Sequence, residues 1–268
     1  MSSRFATLFN RLKEEGQGAF VPFVTIGDPT PEASQKILQT LVDAGADALE
    51  LGIPFSDPLA DGPVIQGGNT RALQAGTTPK RCFDIIAKFR QTNPDIPIGL
   101  LVYANLVYRQ GLEAFYEQAA KAGVDAVLVG DVPLVEAAPF QKAAIKAGVG
   151  PVFFATPNGD QATLEEAANK SQGFIYLLSR AGVTGTESKA GIPVDHMLKS
   201  LKGFGSPPGL LGFGISNPEQ VKEAIAAGVD GVIAGSAVVQ RIAENLDDSE
   251  KMREALKDFV KSMKAATL

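Results

Sequence analysis

The sequence predicts an α/β protein, a (β/α)8 barrel with one extra helix at its N-terminus. Eight apolar runs of strand length alternate with helical stretches along the chain, which is the strand count of this fold. The length of 268 residues is typical of one such barrel. No linker interrupts the alternation, so we expect residues 1–268 to form a single domain.

The individual elements are predicted from hydrophobic periodicity and from the glycines and prolines that bound it. Residues 5–13 are predicted to form an amphipathic helix that caps the bottom of the barrel, because Phe5, Leu8, Phe9 and Leu12 share one face. The predicted strands are 19–25, 48–51, 96–103, 126–129, 151–154, 174–178, 209–212 and 231–234. The predicted helices are 32–44, 79–90, 112–122, 136–147, 161–170, 194–202, 218–227 and 249–266.

A short internal repeat supports this alternation. Ala-Gly-Ala-Asp-Ala-Leu at 44–49 recurs as Ala-Gly-Val-Asp-Ala-Val at 122–127 and as Ala-Gly-Val-Asp-Gly-Val at 227–232. Each copy joins a helix end to a strand start, so its glycine is predicted to be the left-handed residue that ends the helix. The alternative fold, an open doubly wound sheet, usually has Gly-x-Gly-x-x-Gly after its first strand, where this chain has Ile-Gly-Asp-Pro at 26–29.

Composition narrows the class of function. The net charge of −5, with acids and bases interspersed, argues against a nucleic-acid or anionic-membrane surface. No apolar run reaches the roughly 18 residues that a membrane-spanning helix needs. The only cysteine, Cys82, excludes an internal disulfide framework, fits a reducing compartment and lies in a helical pattern that predicts a buried thiol. We therefore predict a cytoplasmic protein.

Two carboxylates in the second βα unit are the candidate catalytic groups. Glu50 interrupts the apolar strand 48–51, and a buried carboxylate must be hydrogen-bonded, paired or shifted in pKa. Glu50 is therefore either a satisfied structural acid or a tuned catalytic one. The next loop holds three prolines, which predict no long regular element, and carries Asp57 and Asp61. Aspartates beside proline or glycine often only form turns, yet an acid at a strand end and a second acid on the following stiff loop can also converge on one small substrate.

In this fold the site lies where the strands end, so its candidate residues can be listed from the sequence. The strand ends are Thr-Ile-Gly-Asp (25–28), Glu-Leu-Gly (50–52), Tyr-Ala-Asn (103–105), Gly-Asp (130–131), Thr-Pro-Asn (156–158), Ser-Arg (179–180), Gly-Phe-Gly (212–214) and Gly-Ser (235–236). No lysine ends a strand, so Schiff-base aldolase chemistry lacks its nucleophile. The only histidine, His196, lies away from these ends and is predicted to be a surface residue, which excludes a His-rich metal site. Acid–base chemistry is left to carboxylates, with tyrosines as a weaker option.

The last two strand ends indicate a phosphate site. Residues 212–216 and 235–236 are rich in glycine and serine, and Ser236 opens the final barrel helix, where such barrels bind phosphate through backbone N–H groups. The alternative is that these glycines only permit tight turns. The long polar segment 180–191 suggests a lid over a bound phosphate.

Four motifs give the chain a resemblance to a known family. Residues 49–63 read Leu-Glu-Leu-Gly-Ile-Pro-Phe-Ser-Asp-Pro-Leu-Ala-Asp-Gly-Pro, and the others are Tyr-Ala-Asn at 103–105, Leu-Ser-Arg-Ala-Gly-Val-Thr-Gly at 178–185, and Gly-Phe-Gly-Ile-Ser at 212–216 with Gly-Ser-Ala at 235–237. Over essentially its whole length the chain resembles the alpha subunits of tryptophan synthase. The resemblance implies retro-aldol cleavage of indole-3-glycerol phosphate to indole and glyceraldehyde 3-phosphate in tryptophan biosynthesis. It also implies an α2β2 heterotetramer in which a beta subunit, using pyridoxal phosphate, joins the indole to serine, while this chain holds no cofactor or metal.

The same resemblance implies roles for individual residues. Glu50 would shuttle the proton, Asp61 would contact the indole N–H, and Asp57 would face the beta subunit. The implied indole pocket is Phe23, Leu101, Leu128, Tyr176, Thr184 and Phe213, and the implied phosphate site is Gly185, Gly214, Gly235 and Ser236.

Other functions remain alternatives at this point. A sugar-phosphate isomerase or epimerase shares the phosphate turns, but the epimerase kind needs metal-binding histidines. Indole-glycerol-phosphate synthase needs a strand-end lysine. A catalytically inactive subunit that only binds indole or activates a partner is disfavoured by the intact pair Glu50 and Asp61.

Overall fold

The computed structural model describes residues 4–178 and 195–268. Within these ranges, parallel strands form one sheet at the centre of the molecule. They are β1 (Ala19–Thr25), β2 (Leu49–Gly52), β3 (Ile98–Val102), β4 (Ala126–Val129), β5 (Gly150–Val152), β6 (Phe154–Ala155), β7 (Ile175–Leu178), β8 (Gly209–Gly212) and β9 (Gly231–Ala234). The order across the sheet is β5-β4-β3-β2-β1-β9-β8-β7-β6.

Strands β5 and β6 together take the place of the predicted strand 151–154. Phe153 separates them, so β5 pairs with β4 while β6 pairs with β7. The Phe153 N–H donates to Ser171 Oγ at 3.1 Å, and the Phe153 carbonyl accepts from the Tyr176 N–H at 3.1 Å. The sheet is thereby joined through this interrupted strand, which confirms the predicted (β/α)8, or TIM, barrel.

Helices surround the sheet. They are α1 (Arg4–Glu15), α2 (Pro31–Asp43), α3 (Pro63–Gln74), α4 (Pro79–Thr92), α5 (Ala104–Gln110), α6 (Leu112–Ala122), α7 (Ala138–Ala147), α8 (Gln161–Lys170), α9 (Asp195–Gly203), α10 (Pro218–Ala226), α11 (Ser236–Ala243) and α12 (Ser249–Ala265), with a short 3-10 helix at Leu134–Glu136. No helix of the described residues is long and apolar enough to cross a membrane.

The prediction that the prolines after β2 prevent a long regular element is wrong for part of that segment. Pro63 is the first residue of α3, which runs for 12 residues. Proline is favoured at a helix start, because its missing N–H has no partner in the first turn and its φ angle is already helical. Helix α5, which follows β3 directly, was also not predicted.

The three repeated glycines end helices as predicted. Gly45, Gly123 and Gly228 have φ angles of 107°, 91° and 95°. Residues with a Cβ atom rarely adopt this backbone conformation. The prediction from the repeat is therefore confirmed.

The aspartates of the same repeat clamp neighbouring strands at the bottom of the barrel. Each carboxylate accepts a hydrogen bond from the backbone N–H of a residue in the preceding strand along the chain. The pairs are Phe20 to Asp47 at 2.9 Å, Ile98 to Asp125 at 2.8 Å, and Gly209 to Asp230 at 2.7 Å. In return, each aspartate N–H donates to the carbonyl of the same partner, at 3.0, 2.9 and 3.0 Å respectively. The aspartates of the repeat therefore have a structural role at the bottom of the barrel, away from the upper strand ends where the site is expected.

Helix α1 closes the bottom of the barrel, as predicted. Phe5, Leu8, Phe9 and Leu12 are buried in the cluster that fills the barrel interior. The Phe5 ring lies 5.0 Å from that of Phe174, between ring centroids. Since this helix occupies the lower opening, the interior of the barrel is accessible from the opposite end.

Candidate active site

A cavity opens at the carboxyl ends of the strands. Residues from several strand ends and from α3 and α11 share it. Its lining consists of Phe23, Glu50, Asp61, Ile65, Leu101, Tyr176, Phe213, Gly214, Ile215, Ile233, Gly235 and Ser236. Most of these side chains are apolar, so the two carboxylates face a largely water-poor space.

Glu50 lies on β2, where it is opposite Phe23 of β1 and Gly99 of β3. Its side chain is buried, with 2% of the residue exposed. Burial raises the pKa of Glu50 to about 8, because the charged form loses its hydration. No described residue hydrogen-bonds its Oε1 atom. Glu50 is thus protonated at neutral pH and has an oxygen free to act on a molecule in the cavity.

Asp61 lies on the loop between β2 and α3, and it is held at several atoms. Asn69 Nδ2 donates to Asp61 Oδ2 at 3.1 Å, and Gln66 Nε2 donates to the Asp61 carbonyl at 2.7 Å. The Tyr103 hydroxyl also donates to the Asp61 carboxylate and accepts from the Ala60 N–H at 3.2 Å. Burial raises the pKa of Asp61 to about 6, while the bonds from Tyr103 and Asn69 limit that rise. Asp61 is therefore mainly ionised at neutral pH.

The different pKa values give the two carboxyl groups different roles. With pKa values near 8 and near 6, Glu50 is an acid and Asp61 an anion at about pH 7. A pair of titratable groups whose environments separate their pKa values in this way is typical of acid–base catalysis.

Aromatic rings form one wall of the cavity. Tyr176 and Phe213 are 6.0 Å apart between ring centroids, at 74° to each other. Phe154 of β6 packs edge-on against Tyr176, at 5.2 Å. Phe213 has a φ angle of 65°, a strained value for a residue with a side chain. Burial, followed by the nearby Glu50 and Asp61, raises the pKa of Tyr176, so its hydroxyl stays protonated.

Another part of the cavity is lined by backbone. Gly235 and Ser236 form the start of α11, which has no side-chain cap. The first N–H groups of a helix have no partner within the helix and carry a partial positive charge, which suits an anion. Gly214, with a φ angle of 88°, lines the cavity beside them. This arrangement fits the phosphate site predicted from the sequence.

Most of the predicted site residues meet in this cavity. Glu50, Asp61, Phe23, Leu101, Tyr176, Phe213, Gly214, Gly235 and Ser236 all line it. Leu128 is buried in the barrel interior but is not one of the lining residues. Thr184, Gly185 and the segment 180–191 lie outside the described residues. Asp57 is exposed on the loop after β2.

Sequence reasoning missed five residues of this site. Ile65, Ile215 and Ile233 line the cavity, and Asn69 and Tyr103 hold Asp61. Ile65, Asn69 and Ala72 recur at helical spacing after Pro63, and this pattern with proline in the first helical position could have indicated α3. Tyr103 belongs to a predicted strand end and to one of the motifs that carry the resemblance, but neither pattern indicates that it holds Asp61.

The two remaining candidate nucleophiles or ligands are placed as predicted. Cys82 is fully buried, and burial raises the pKa of its thiol, which keeps it unreactive. His196 is exposed. Within residues 4–178 and 195–268, no group of three histidine, cysteine or acidic side chains is arranged to hold a metal ion.

The fold and this cavity define a (β/α)8-barrel protein with a carboxylate site at the carboxyl ends of its strands. The family model for the tryptophan synthase alpha chain matches residues 9–268. The chain therefore belongs to the tryptophan synthase alpha chain family.

Individual relatives agree with this assignment. The chain is 59% identical over 266 residues to a tryptophan synthase alpha chain of Shewanella oneidensis, covering 99% of this chain and 96% of the relative. It is similar to the crystal structure of tryptophan synthase subunit alpha from Legionella pneumophila, with a TM-score of 0.89, 30% identity, and 100% and 99% of the two chains covered. A chain of the tryptophan synthase α2β2 complex from Pyrococcus furiosus matches with a TM-score of 0.80, 35% identity, and 92% and 97% covered.

Proposed function

We propose that this chain cleaves indole-3-glycerol phosphate to indole and glyceraldehyde 3-phosphate and passes the indole to a tryptophan synthase beta subunit. Membership of the family over nearly the whole chain supports the reaction. The observation that carries the proposal is that Glu50 and Asp61 line one apolar cavity beside the start of α11. This cavity offers an acid, an anion, an apolar ring pocket and an anion site.

The reaction breaks a carbon–carbon bond between the indole ring and its glycerol phosphate side chain. The ring carbon C3 must gain a proton, and the side-chain hydroxyl next to the ring must lose one. Glu50, which is protonated at neutral pH, donates its proton to C3 and forms an indolenine with a positive ring nitrogen. The Glu50 carboxylate then takes the hydroxyl proton as the carbon–carbon bond breaks. The electron pair of that bond returns to the ring and neutralises the ring nitrogen, and the side chain leaves as an aldehyde. Glu50 ends the cycle protonated, as it began.

Asp61 stabilises the charge that develops in this step. As an anion it accepts a hydrogen bond from the indole N–H and opposes the positive charge of the indolenine. The hydrogen bonds from Tyr103 and Asn69 keep Asp61 ionised in a buried position. Burial and the nearby Asp61 raise the pKa of Tyr103, so it remains a donor at neutral pH.

The rest of the cavity positions the substrate. We assign the contacts with the indole ring to Phe23, Leu101, Tyr176 and Phe213, which line the cavity. The resemblance adds Leu128, which is buried in the barrel interior, and Thr184, which lies outside the described residues. The phosphate binds at Gly214, Gly235 and Ser236, together with Gly185. The first N–H groups of α11 have no partner within the helix and carry a partial positive charge, which favours an anion at this end.

The proposed assembly is an α2β2 heterotetramer with the beta subunit, which carries pyridoxal phosphate. Asp57, exposed on the loop after β2, faces the beta subunit in this assembly. The proposed steps use only carboxyl groups and backbone of this chain, so we assign it no cofactor. We assign it to the cytoplasm, in keeping with its single buried thiol.

The test is indole release from indole-3-glycerol phosphate by the purified chain, with and without a tryptophan synthase beta subunit. We expect release that rises with the partner and is abolished in Glu50→Gln, while Glu254→Gln, an exposed change on α12, leaves it intact. Absence of indole from the folded wild-type chain under both conditions would contradict the proposal and favour an inactive binding subunit.

A further inference from the structure

A buried ion pair lies beside the cavity without lining it. Arg71 Nε donates to Asp28 Oδ1 at 2.7 Å, and Arg71 Nη2 donates to Asp28 Oδ2 at 2.8 Å. The Asp28 side chain is fully buried and that of Arg71 is 21% exposed. Two parallel contacts between a guanidinium and a carboxylate fix relative orientation as well as distance. A buried pair of this kind contributes little net stability, so a role in geometry is the better explanation.

The pair connects the end of β1 to α3. Asp28 follows β1 directly in the turn at the upper edge of the barrel, and Arg71 is in the last turn of α3. Gly68 of α3 allows this close approach, since a Cβ at that position would lie 3.0 Å from Asp28 Oδ2. The pair therefore fixes α3 on the rigid barrel.

Helix α3 in turn holds Asp61. Asn69 binds the Asp61 carboxylate and Gln66 binds its backbone carbonyl. Ile65 of the same helix lines the cavity. Asp61 itself is on a loop, so its position depends on the helix that follows it.

We propose that Asp28 and Arg71 are positioning residues for Asp61, acting through α3 to keep its carboxylate where the indole N–H is bound. This inference rests on the proposed function. Loss of the pair lets α3 shift and takes Asn69 out of line with Asp61. Even a small displacement of a catalytic group lowers kcat strongly. The substrate pocket and its phosphate site remain in place.

Two substitutions separate positioning from a direct charge effect. Arg71→Gln removes the contacts that lower the pKa of the buried Asp28. By charge alone, the pKa of Asp61 then rises where Asp28 is ionised and is unchanged where Asp28 is protonated. Asp28→Asn leaves Arg71 as an unpaired cation, which by charge alone would lower it. The other described titratable groups around Asp61 are Glu50 on β2, Tyr103 after β3 and Tyr176 on β7, and neither substitution changes them. Loss of the Asn69 bond raises the Asp61 pKa in both variants.

The experiment measures kcat, KM and the pH dependence of indole release for the full chain. In both variants we expect kcat to fall roughly tenfold or more with KM changed less than about threefold, and the acidic limb to move to higher pH. Arg71→Lys keeps the charge but only one contact, so we expect its kcat and its acidic limb to lie between those of Arg71→Gln and wild type. If Arg71→Gln does not fold, Asp28→Asn and Arg71→Lys decide the question by the same criteria.

The matched control is Arg90→Gln, which removes a buried arginine from Asp125 at the other end of the barrel. We expect it to lower the temperature of unfolding without changing kcat or the pH profile. An equal loss of kcat in this control would overturn the positioning role, as would an acidic limb that moves to lower pH in the Asp28→Asn variant. Folded variants with wild-type kcat would overturn it too. No indole from the wild-type chain would instead contradict the proposed function.

Discussion

Asn69 donates a 3.1 Å hydrogen bond to Asp61 from a helix that begins two residues after Asp61. Helix α3 therefore follows the candidate catalytic loop almost directly, and a residue of that helix holds the loop in place. Asp61 is consequently a loop residue with the fixed geometry of a residue in a regular element. Charge stabilisation of a bound substrate requires such preorganisation.

The Asn69 hydrogen bond predicts the effect of Asn69→Ala on pH dependence. The bond favours the ionised form of Asp61, so its loss raises the pKa above the present value of about 6. At about pH 6 we expect indole release to fall several-fold, and at about pH 8 much less, because Asp61 is ionised there in both proteins. The measurement is kcat/KM for indole release between about pH 5 and pH 9. Thr70→Ala, on the exposed face of the same helix, is the control, and a parallel loss at every pH would contradict this prediction.

The burial of Glu50 predicts that Glu50→Gln gains stability relative to wild type as pH rises. Glu50 has a folded pKa of about 8 against 4.5 for the ordinary group, so its folded-state advantage is present below about pH 4.5 and is lost as pH rises through 8. The wild type therefore loses on the order of 5 kcal/mol of stability across that window, and the glutamine variant does not. Urea unfolding at about pH 5 and pH 9 measures the difference. A gap between the two proteins that is the same at both pH values would rule out the assigned pKa, and Glu254→Gln serves as the exposed control.

The start of α11 predicts a binding defect in Gly235→Ala. A Cβ at this position would lie 3.5 Å from the Phe23 ring, an ordinary contact, so the fold should tolerate it. The new methyl group lies against Phe23 in the cavity that both residues line, next to the backbone N–H groups that we propose bind the phosphate. We expect KM to rise roughly tenfold with kcat changed by less than about twofold. Steady-state kinetics test this, with Gly203→Ala at the end of α9, where a Cβ meets open space, as the control; an unchanged KM would place the phosphate elsewhere.

The sequence was most informative where one physical rule dominates. The repeated glycines predicted helix ends because a left-handed residue there strongly favours glycine, and Gly45, Gly123 and Gly228 all have positive φ angles. The list of strand-end residues predicted many residues of the site, because the parallel strands of a barrel all end on one face. Glu50 could be singled out because it is a carboxylate in an otherwise apolar strand, where a buried charge is costly.

The parts that were missed depend on competition between local and tertiary effects. Pro63 was interpreted as a loop residue, although proline is equally suited to the first position of a helix. Asn69 on the buried face of α3 weakened the apolar pattern of that helix, since its polar side chain is directed at Asp61. The interruption at Phe153 depends on Ser171 and Tyr176, residues from another part of the chain, and no local pattern reports it.

The most direct test of the account is the pH profile of kcat/KM for indole release by the wild-type chain, compared with Asp61→Asn. The account predicts a bell with an acidic limb near 6, where Asp61 must be ionised, and a basic limb near 8, where Glu50 must be protonated. Because the two groups share a cavity, these limbs are properties of the pair. Asp61→Asn is predicted to be folded and to release almost no indole at any pH. A profile that is flat between about pH 5 and pH 9, or an Asp61→Asn variant with wild-type turnover, would contradict the assignment of acid and anion to these two carboxyl groups.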